Sequence, residues 1–485
     1  MTRAPGTVLD GFRLEAKVYQ GGMAEIWRVT RPDLPAAAVM KIPSHRDGAD
    51  PAALVGFEVE QMILPTLSGV HVPRFIASGD WIAQAYVVME LIDGPSLRAR
   101  LDDAPLDAAE VASIGSRVAS AIHDLHTQHV IHLDVKPSNI MFRPAGEAVL
   151  IDFGLSRHDQ LPDLLAEQFR LPMGSGPYIS PEQIWGVRND PRSDLFALGV
   201  VLYHLLTAQR PFGNPSSVRS LRRRLYRDPI PPRALNPSCP PWLQEVILRC
   251  LEVDAGRRWD TAAQLAFELQ HPDQVWLGDR SRRLRRDGLW TVARRRLRTP
   301  AEPDARQSAA GQAARAPIVL VAVDLSGKEA LADALRLAAR RIATTEAGTR
   351  LACVTVMKTP RMAIEANAEA EGRVRMDLLI RLKHWARPLG REAARVTHHV
   401  LEAPDPAAAI LEFARANRVD QIVIGSRGSS TLRRYLGSVS SEVVAQALCS
   451  VTVVKTPPRG PQAAKASLSD ASREDERLTT GDRGN

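Results

Sequence analysis

Aromatic residues are few, at 5% of 485 positions, yet a hydrophobic content of 45% still supports globular domains. Only four cysteines occur, Cys239, Cys250, Cys353 and Cys449, with no C-x-x-C spacing. That excludes a disulfide or zinc framework and fits a reducing, cytoplasmic setting. No apolar stretch reaches the roughly 18 residues of a membrane span, the longest running from about Leu195 to Leu206, and the N-terminus has no signal-peptide pattern. The expectation is a soluble, unanchored chain, too long for one core and therefore of two or three domains. Net charge is +8, but nine arginines against two aspartates between Gly278 and Arg298 carry nearly all of it. Basicity thus belongs to one connector, and a nucleic-acid-binding face spread over a domain is not expected.

What is present centres on Val130–Asn139, V-I-H-L-D-V-K-P-S-N. A short apolar entry delivers His132 and Asp134, followed by Lys136 and Asn139, a set suited to phosphoryl transfer. Asp134 would accept the proton of an attacking hydroxyl, Lys136 would neutralise charge on the moving phosphate, and Asn139 would give an amide oxygen to a metal ion. The stretch resembles the catalytic loop of protein kinases, and Lys136 before Pro137 resembles the serine/threonine branch.

Other landmarks follow in the order that resemblance requires. Phe12–Tyr19 and Ala24–Val29 read as a hairpin interrupted by Gly21 and Gly22; the resemblance makes this the lid over ATP and places Gly21, Gly22 and Ile26 at the nucleotide. The strand Ala36–Ile42 ends A-V-M-K-I, nominating Lys41 for the α- and β-phosphates, and a helical pattern opening at Phe57 puts Glu60 where the family's pairing carboxylate falls. Ala85–Leu91 reads as a buried strand and, by resemblance, as the hinge: Met89 lines the back pocket, and backbone groups near Glu90 and Leu91 hold adenine. Between Asp107 and Gln128, Val111, Ile114, Val118, Ile122 and Leu125 form a helical core stripe. His123, His126 and His129 there are assigned to helix surface and packing, not to metal.

Val149–Gly154 is a strand running into Asp152-Phe153-Gly154, the family's magnesium-chelating element. G-S-G-P-Y-I-S-P-E, Gly174–Glu182, is similar to the segment that seats the protein substrate, with Ser175 orienting Asp134 and Lys136. The resemblance also makes Asp194 a brace for the catalytic loop and Arg258 the buried partner of Glu182. Three departures stand out. Tyr19 and Ala24 replace glycines of the lid, and Leu133 replaces the arginine that clamps a phosphorylated activation loop. Ser156 is the only hydroxyl residue between Leu155 and Met173, so activity is expected without loop phosphorylation.

Trp276–Thr299 has Leu289, Trp290, Ala293 and Leu297 at helical spacing among arginines. It reads as a basic amphipathic helix for an acidic surface, a membrane face or nucleic acid; as a charged linker; or as a helix packed on the preceding domain. Residues 301–316 read as tether.

Composition changes at Pro317. Ile318–Asp324 is a continuous apolar run of the kind buried on both faces of a parallel sheet, and strand and helix patterns then alternate to give five strands and four crossovers. Gly425-Ser426-Arg427-Gly428 follows the fourth strand, Gly437-Ser438 opens the last helix, and Asp324-Leu325-Ser326 follows the first strand. This resembles the universal stress protein family and its ATP motif G-x-x-G-x9-G-[ST], although only eight residues separate Gly428 from Gly437. The resemblance implies nucleotide contacts at Asp324, Gly425, Gly428, Gly437 and Ser438 and pairing of two copies; glycines serving only tight turns are the alternative.

The expected fold is multidomain: an α+β bilobal protein kinase fold followed by an α/β doubly wound domain with a five-stranded parallel sheet. Its limits are 12–270 for the kinase, 271–315 for the Arg-rich linker, 316–456 for the universal stress domain and 457–485 for a disordered tail. The expected function is ATP- and Mg2+-dependent phosphorylation of serine or threonine in protein substrates, with Asp134 and Lys136 catalytic and Asn139 and Asp152 on the metal. The second domain would sense nucleotide or stress, or be a tethered substrate. The rival expectation is a catalytically feeble, nucleotide-binding signalling scaffold.

Overall fold

The computed structural model describes residues 3–455 apart from 22–23, 35, 44–50, 82–83, 170, 299–316, 328, 346–347, 360–367, 391–395 and 427–436. The first lobe is a six-stranded antiparallel sheet of β1 (Val8–Leu9), β2 (Phe12–Gln20), β3 (Ala24–Thr30), β4 (Ala38–Pro43), β5 (Phe75–Gly79) and β6 (Tyr86–Glu90), ordered β1-β2-β3-β4-β6-β5. Helix α1 (Pro51–Ile63) accompanies it. This helix begins six residues before the expected Phe57 opening: Pro51 suits a first helical turn, where its missing N–H costs nothing, and Ala52-Ala53 continue it.

The second lobe is built on α2 (Ala108–Thr127), whose Asp107 carboxylate caps it by accepting the Glu110 N–H at 3.3 Å. All five residues of the expected apolar stripe are buried. Two small antiparallel pairs carry the chemistry-bearing loops: β7 (Val130–Ile131) with β10 (Arg157–His158), and β8 (Ile140–Phe142) with β9 (Ala148–Leu150). The activation segment contains α3 (Leu164–Gln168) and ends at α4 (Pro181–Ile184). The longest apolar run becomes α5 (Arg192–Thr207), buried on nearly every side against α2 and the later helix α8, which explains its lack of a polar face. The rest of the lobe comprises α6 (Val218–Leu221), α7 (Pro232–Leu235), α8 (Pro241–Cys250) and α9 (Ala262–Gln270).

The connector is not one continuous helix. It forms α10 (Asp279–Arg282) and α11 (Leu289–Arg298), and its first part packs on the large lobe. Arg280 pairs with Glu245 at 2.9 Å and Glu252 at 2.8 Å, and Arg283 and Arg295 converge on Asp228 at 2.8 and 2.9 Å. Of the three readings of this stretch, packing on the preceding domain is the one observed, while Trp290 and Leu297 stay exposed.

The C-terminal domain has five parallel strands, β11 (Ile318–Ala322), β12 (Arg350–Lys358), β13 (Val396–Ala403), β14 (Gln421–Gly425) and β15 (Ser450–Val454), ordered β13-β12-β11-β14-β15. The helices are α12 (Glu329–Thr345), α13 (Ala368–Ala386), α14 (Pro406–Ala416) and α15 (Ser438–Gln446). Two apolar clusters cover the two faces of the sheet, which is why β11 reads as an unbroken hydrophobic run. Asp405 caps α14, accepting the Ala407 N–H at 2.9 Å. Strand order reverses between β11 and β14, so a crevice opens outside their carboxyl ends.

Candidate active site

Sheet register places Lys41 on β4 opposite Ile26 of β3, beneath the lid hairpin. Its ammonium donates to Glu60 Oε2 of α1 at 2.6 Å and to Asp152 Oδ1 at 2.8 Å, so one cation ties the sheet, the helix and Asp152 together. Burial alone would lower the Lys41 pKa, but Asp152 and then Glu60 outweigh it and raise it above its usual value. Lys41 in turn holds the Asp152 carboxyl at about 2, while burial pushes Glu60 upward despite the same lysine. Phe153, packed behind Asp152, is fully buried with its ring 5.4 Å from His132.

The catalytic loop is held from below by Asp194 at the start of α5. Its two carboxylate oxygens accept the N–H groups of Leu133 and His132 at 2.8 and 2.9 Å, and His126 Nε2 lies 2.9 Å from Oδ2. His126 therefore anchors the brace, a role that its sequence spacing did not signal. Leu133 has φ of 60° and Asp152 of 69°, left-handed conformations that disfavour a side chain and persist only where surrounding bonds impose them. The loop presents Asp134 with each oxygen engaged: Oδ2 accepts Lys136 Nζ at 2.6 Å and Asn139 Nδ2 at 3.1 Å, and Oδ1 accepts the Ser175 N–H at 3.1 Å. Lys136 also donates to Ser175 Oγ at 2.9 Å. Asp134, Lys136, Asn139 and Ser175 therefore form one connected polar group.

The activation segment is held without a phosphate. Arg188, 8% exposed, donates its Nε to both oxygens of Asp163, at 3.2 and 2.9 Å, and its Nη2 to the Leu155 carbonyl at 3.0 Å. Asp163 also caps α3 through the Ala166 N–H at 3.2 Å. Ser156 is buried and donates to the His132 carbonyl at 3.1 Å. Further along, Glu182 makes a bidentate pair with the buried Arg258 at 2.7 and 2.8 Å and accepts from Ser193 Oγ at 2.7 Å.

At the hinge, the Glu90 N–H donates to the Arg74 carbonyl at 2.9 Å and the Glu90 carboxylate pairs with Arg143, so that N–H is already committed within the fold. Leu91 follows directly. In the lid, Gly21 donates its N–H to the Ala24 carbonyl at 3.1 Å, and a Cβ there would lie 2.8 Å from the Tyr19 ring. Gly22 falls outside the described residues.

In the C-terminal domain, Asp324 ends the β11 turn, accepting the Ser326 N–H at 3.0 Å, and Gly437 caps the start of α15 ahead of Ser438. Both stand at the carboxyl-end crevice, as does Gly425. A Cβ on Gly425 would meet Leu331 Cδ2 of α12 at 3.1 Å, so this glycine has a packing reason of its own. Gly428 lies outside the described residues.

The residues at the first site fit a hard divalent ion. Asp152 is held ionised, its carboxylate about half exposed, and Asn139 brings an amide group to the same loop cluster, its Nδ2 donating to the Asp134 carbonyl at 3.0 Å. Among the described residues no group of three His, Cys, Asp or Glu gathers as a closed metal cage. An ion held by one carboxylate and one amide would take its other ligands from phosphate and water, the usual habit of magnesium.

An antiparallel small lobe over a helical large lobe, with a lysine–glutamate–aspartate triad and an Asp-Lys-Asn loop, is the layout of the protein kinase fold. The chain belongs to the protein kinase family: the model of the protein kinase domain matches residues 12–271. A second model, that of the universal stress protein family, matches residues 317–455. Serine/threonine-protein kinase pkn3 of Myxococcus xanthus is 32% identical over 282 residues, covering 55% of this chain and 51% of that protein. Serine/threonine-protein kinase PknB of Mycobacterium tuberculosis is 29% identical over 270 residues, 55% of this chain and 43% of that protein. The chain thus spans about half or less of the length of these curated relatives. The crystal structure of the Mycobacterium tuberculosis PknI kinase domain aligns with a TM-score of 0.46 at 23% identity, covering 56% of this chain and all of that one.

Proposed function

We propose that the chain is a serine/threonine protein kinase that moves the γ-phosphoryl group of ATP to a protein hydroxyl. The observation that carries this is that Lys41, Glu60 and Asp152 form one bonded group and Asp134, Lys136, Asn139 and Ser175 another, near enough for Lys136 to act on the Asp152 carboxyl. Asp134 accepts the hydroxyl proton, and Lys136, already bonded to it, screens charge as the phosphoryl group moves. Lys41, kept protonated and fixed by Glu60, aligns the α- and β-phosphates. Asn139 and Asp152 would hold magnesium, which supplies charge neutralisation on the phosphate oxygens. Hinge contacts near Glu90 and Leu91 would hold adenine, with Gly21, Gly22 and Ile26 covering the phosphates.

The limits we propose are 12–270 for the kinase domain, 271–315 for the connector, 316–456 for the universal stress domain and 457–485 for the tail. In the second domain Asp324, Gly425, Gly428, Gly437 and Ser438 would hold a nucleotide, the support being the place of Asp324, Gly425, Gly437 and Ser438 at the carboxyl ends of β11 and β14, where strand order reverses. Pairing of two copies would use β15, the sheet edge opposite β13. The deciding experiment is transfer of label from γ-labelled ATP to protein by wild type and Asp134→Ala. Label transferred by wild type alone supports the reading; equal ATP binding with no transfer by either makes the chain a signalling scaffold.

A further inference from the structure

Helix α1 and helix α3 pack on each other, and the C-terminal domain meets α3 through β13 and α14 and α1 through Lys383. On α1, Glu58 is ion-paired with Lys383 of α13, and both side chains are largely buried. The Lys383 ammonium also lies 5.1 Å from the Trp81 ring. Trp81 packs edge-on against Phe57 at 5.6 Å and donates its indole N–H to Gln61 at 2.5 Å, so the outer face of α1 is covered by one tryptophan and one lysine. On α3, Glu167 pairs with Arg350 of β12 at 2.7 Å, and Gln168 Nε2 donates to the Val400 carbonyl of edge strand β13 at 2.9 Å. Asn417, after α14, donates to the Glu167 carbonyl at 3.3 Å. Apolar packing is continuous across the boundary: Met357, Leu379 and Val400 belong to the same buried cluster as Leu54, Val55 and Leu165.

Two ion pairs, each with one partner from either domain and little solvent access, mark a built interface and not a chance touch. Separating the domains would leave charges that had lost their partners beside newly exposed apolar surface. Its position gives it a function. Glu58 precedes Glu60 by two residues on α1, so what fixes Glu58 also fixes the carboxylate that holds Lys41. Helix α3 is capped by Asp163, the partner of Arg188, so what fixes Glu167 also fixes the activation segment. The chain lacks the arginine before Asp134, having Leu133, and buries Ser156, the one hydroxyl residue between Leu155 and Met173.

We infer that α1 and α3 form a docking surface whose occupant is this chain's own C-terminal domain, and that the docked state is the catalytically aligned one. The domain supplies from outside the ordering that loop phosphorylation would otherwise provide. A ligand in its crevice then regulates transfer by changing the docked fraction. The effect on transfer rests on the kinase reading above; the docking itself does not.

The test uses the full chain as wild type, Lys383→Glu, Glu58→Lys and the double charge exchange, with kcat for protein phosphorylation and hydrogen exchange of 51–63 and 164–169 read together. Each single variant is expected to lose about tenfold in kcat and to exchange faster in both helices. The double variant should return to within about threefold of wild type with protection restored. Unchanged exchange and rate in the single variants, a double variant no better than the singles, or faster transfer on undocking would each overturn the inference. Specific activity that rises with protein concentration would make the occupant a second copy, which also overturns it. A wild type that transfers no phosphate while the exchange pattern still follows the charge pairing would sink the kinase reading and leave the docking intact.

Discussion

Arg188 grips both carboxylate oxygens of Asp163, at 3.2 and 2.9 Å, while Asp163 caps the short helix that follows it. A fixed carboxylate thus takes the place in the fold that a regulated phosphate would need, and it is present as soon as the chain folds. Exhaustive phosphatase treatment is therefore expected to leave the transfer rate unchanged. A phosphosite within 155–173 whose removal abolishes activity would contradict this account.

Substituting Arg188 itself should have the opposite result. Arg188→Met leaves Asp163 largely buried with its main partner gone, at a cost of about 3–5 kcal/mol for a fully buried pair and less for this partly solvated one. Hydrogen exchange within 163–169 should accelerate and kcat should fall, with KM for ATP little changed because Lys41 and Glu60 are untouched.

Asp134→Asn keeps the shape of the loop but removes the proton acceptor. We expect kcat to fall by about 10²–10⁴-fold with nucleotide affinity retained, measured by single-turnover phosphorylation and by calorimetry. Lys136→Met should lose rate as well, and should loosen Ser175, whose hydroxyl it holds at 2.9 Å.

Glu182 and Arg258 concern stability and not chemistry. Both are buried and joined by two hydrogen bonds, so Arg258→Ala strands a carboxylate and should destabilise the large lobe by about 3–5 kcal/mol in urea unfolding. Arg258→Met with Glu182→Gln should be milder than Arg258→Ala alone, because no unpaired charge remains.

A pH dependence follows from His399 on β13. Burial, then the nearby Arg350 and Lys383, lower its pKa to about 3, and the neighbouring His398 is lowered by burial as well. Glu167 at 3.3 Å and Thr397 at 3.0 Å also face the His399 ring. The folded pKa lies below the unfolded one, so the unfolded chain binds more protons between them. Stability contributed by the neutral imidazole is complete above about pH 6.5 and is lost as the pH falls toward 3, at up to about 1.4 kcal/mol per pH unit and proton. His399→Gln should flatten this slope in unfolding measured from pH 7 to 4.

Much of this was legible in sequence because each element left a local signature. The Lys41 strand, the Asp134 loop, Asp152-Phe153-Gly154 and the alternating C-terminal strands are short, contiguous patterns, and the structure forms strands, helices and loops at those places. The start of α1 was missed although Leu54 and Val55 stand at helical spacing from Phe57 and Val59, because Pro51 and Gly56, poor helix formers, bracket that first apolar pair. Arg188, His126 and the pairs Glu58–Lys383 and Glu167–Arg350 were illegible for another reason. Each is an ordinary charged or polar residue, given meaning by a partner tens to hundreds of positions away that no local spacing encodes. The arginine-rich connector left several readings open because its charge alone does not name a partner; Asp228, Glu245 and Glu252 of the preceding lobe take up part of it.

The span between Glu58 and Lys383 also sets an order of events during synthesis. The kinase lobes leave the ribosome first, and the strands and helix that cover α1 and α3 follow about 10–40 s later at ordinary elongation rates. A nascent or prematurely terminated chain would carry a complete nucleotide cleft with nothing covering α1. On the docking inferred above, the connection between the domains would double as a completeness check, in which α1 and α3 are covered only once the C-terminal domain has been made.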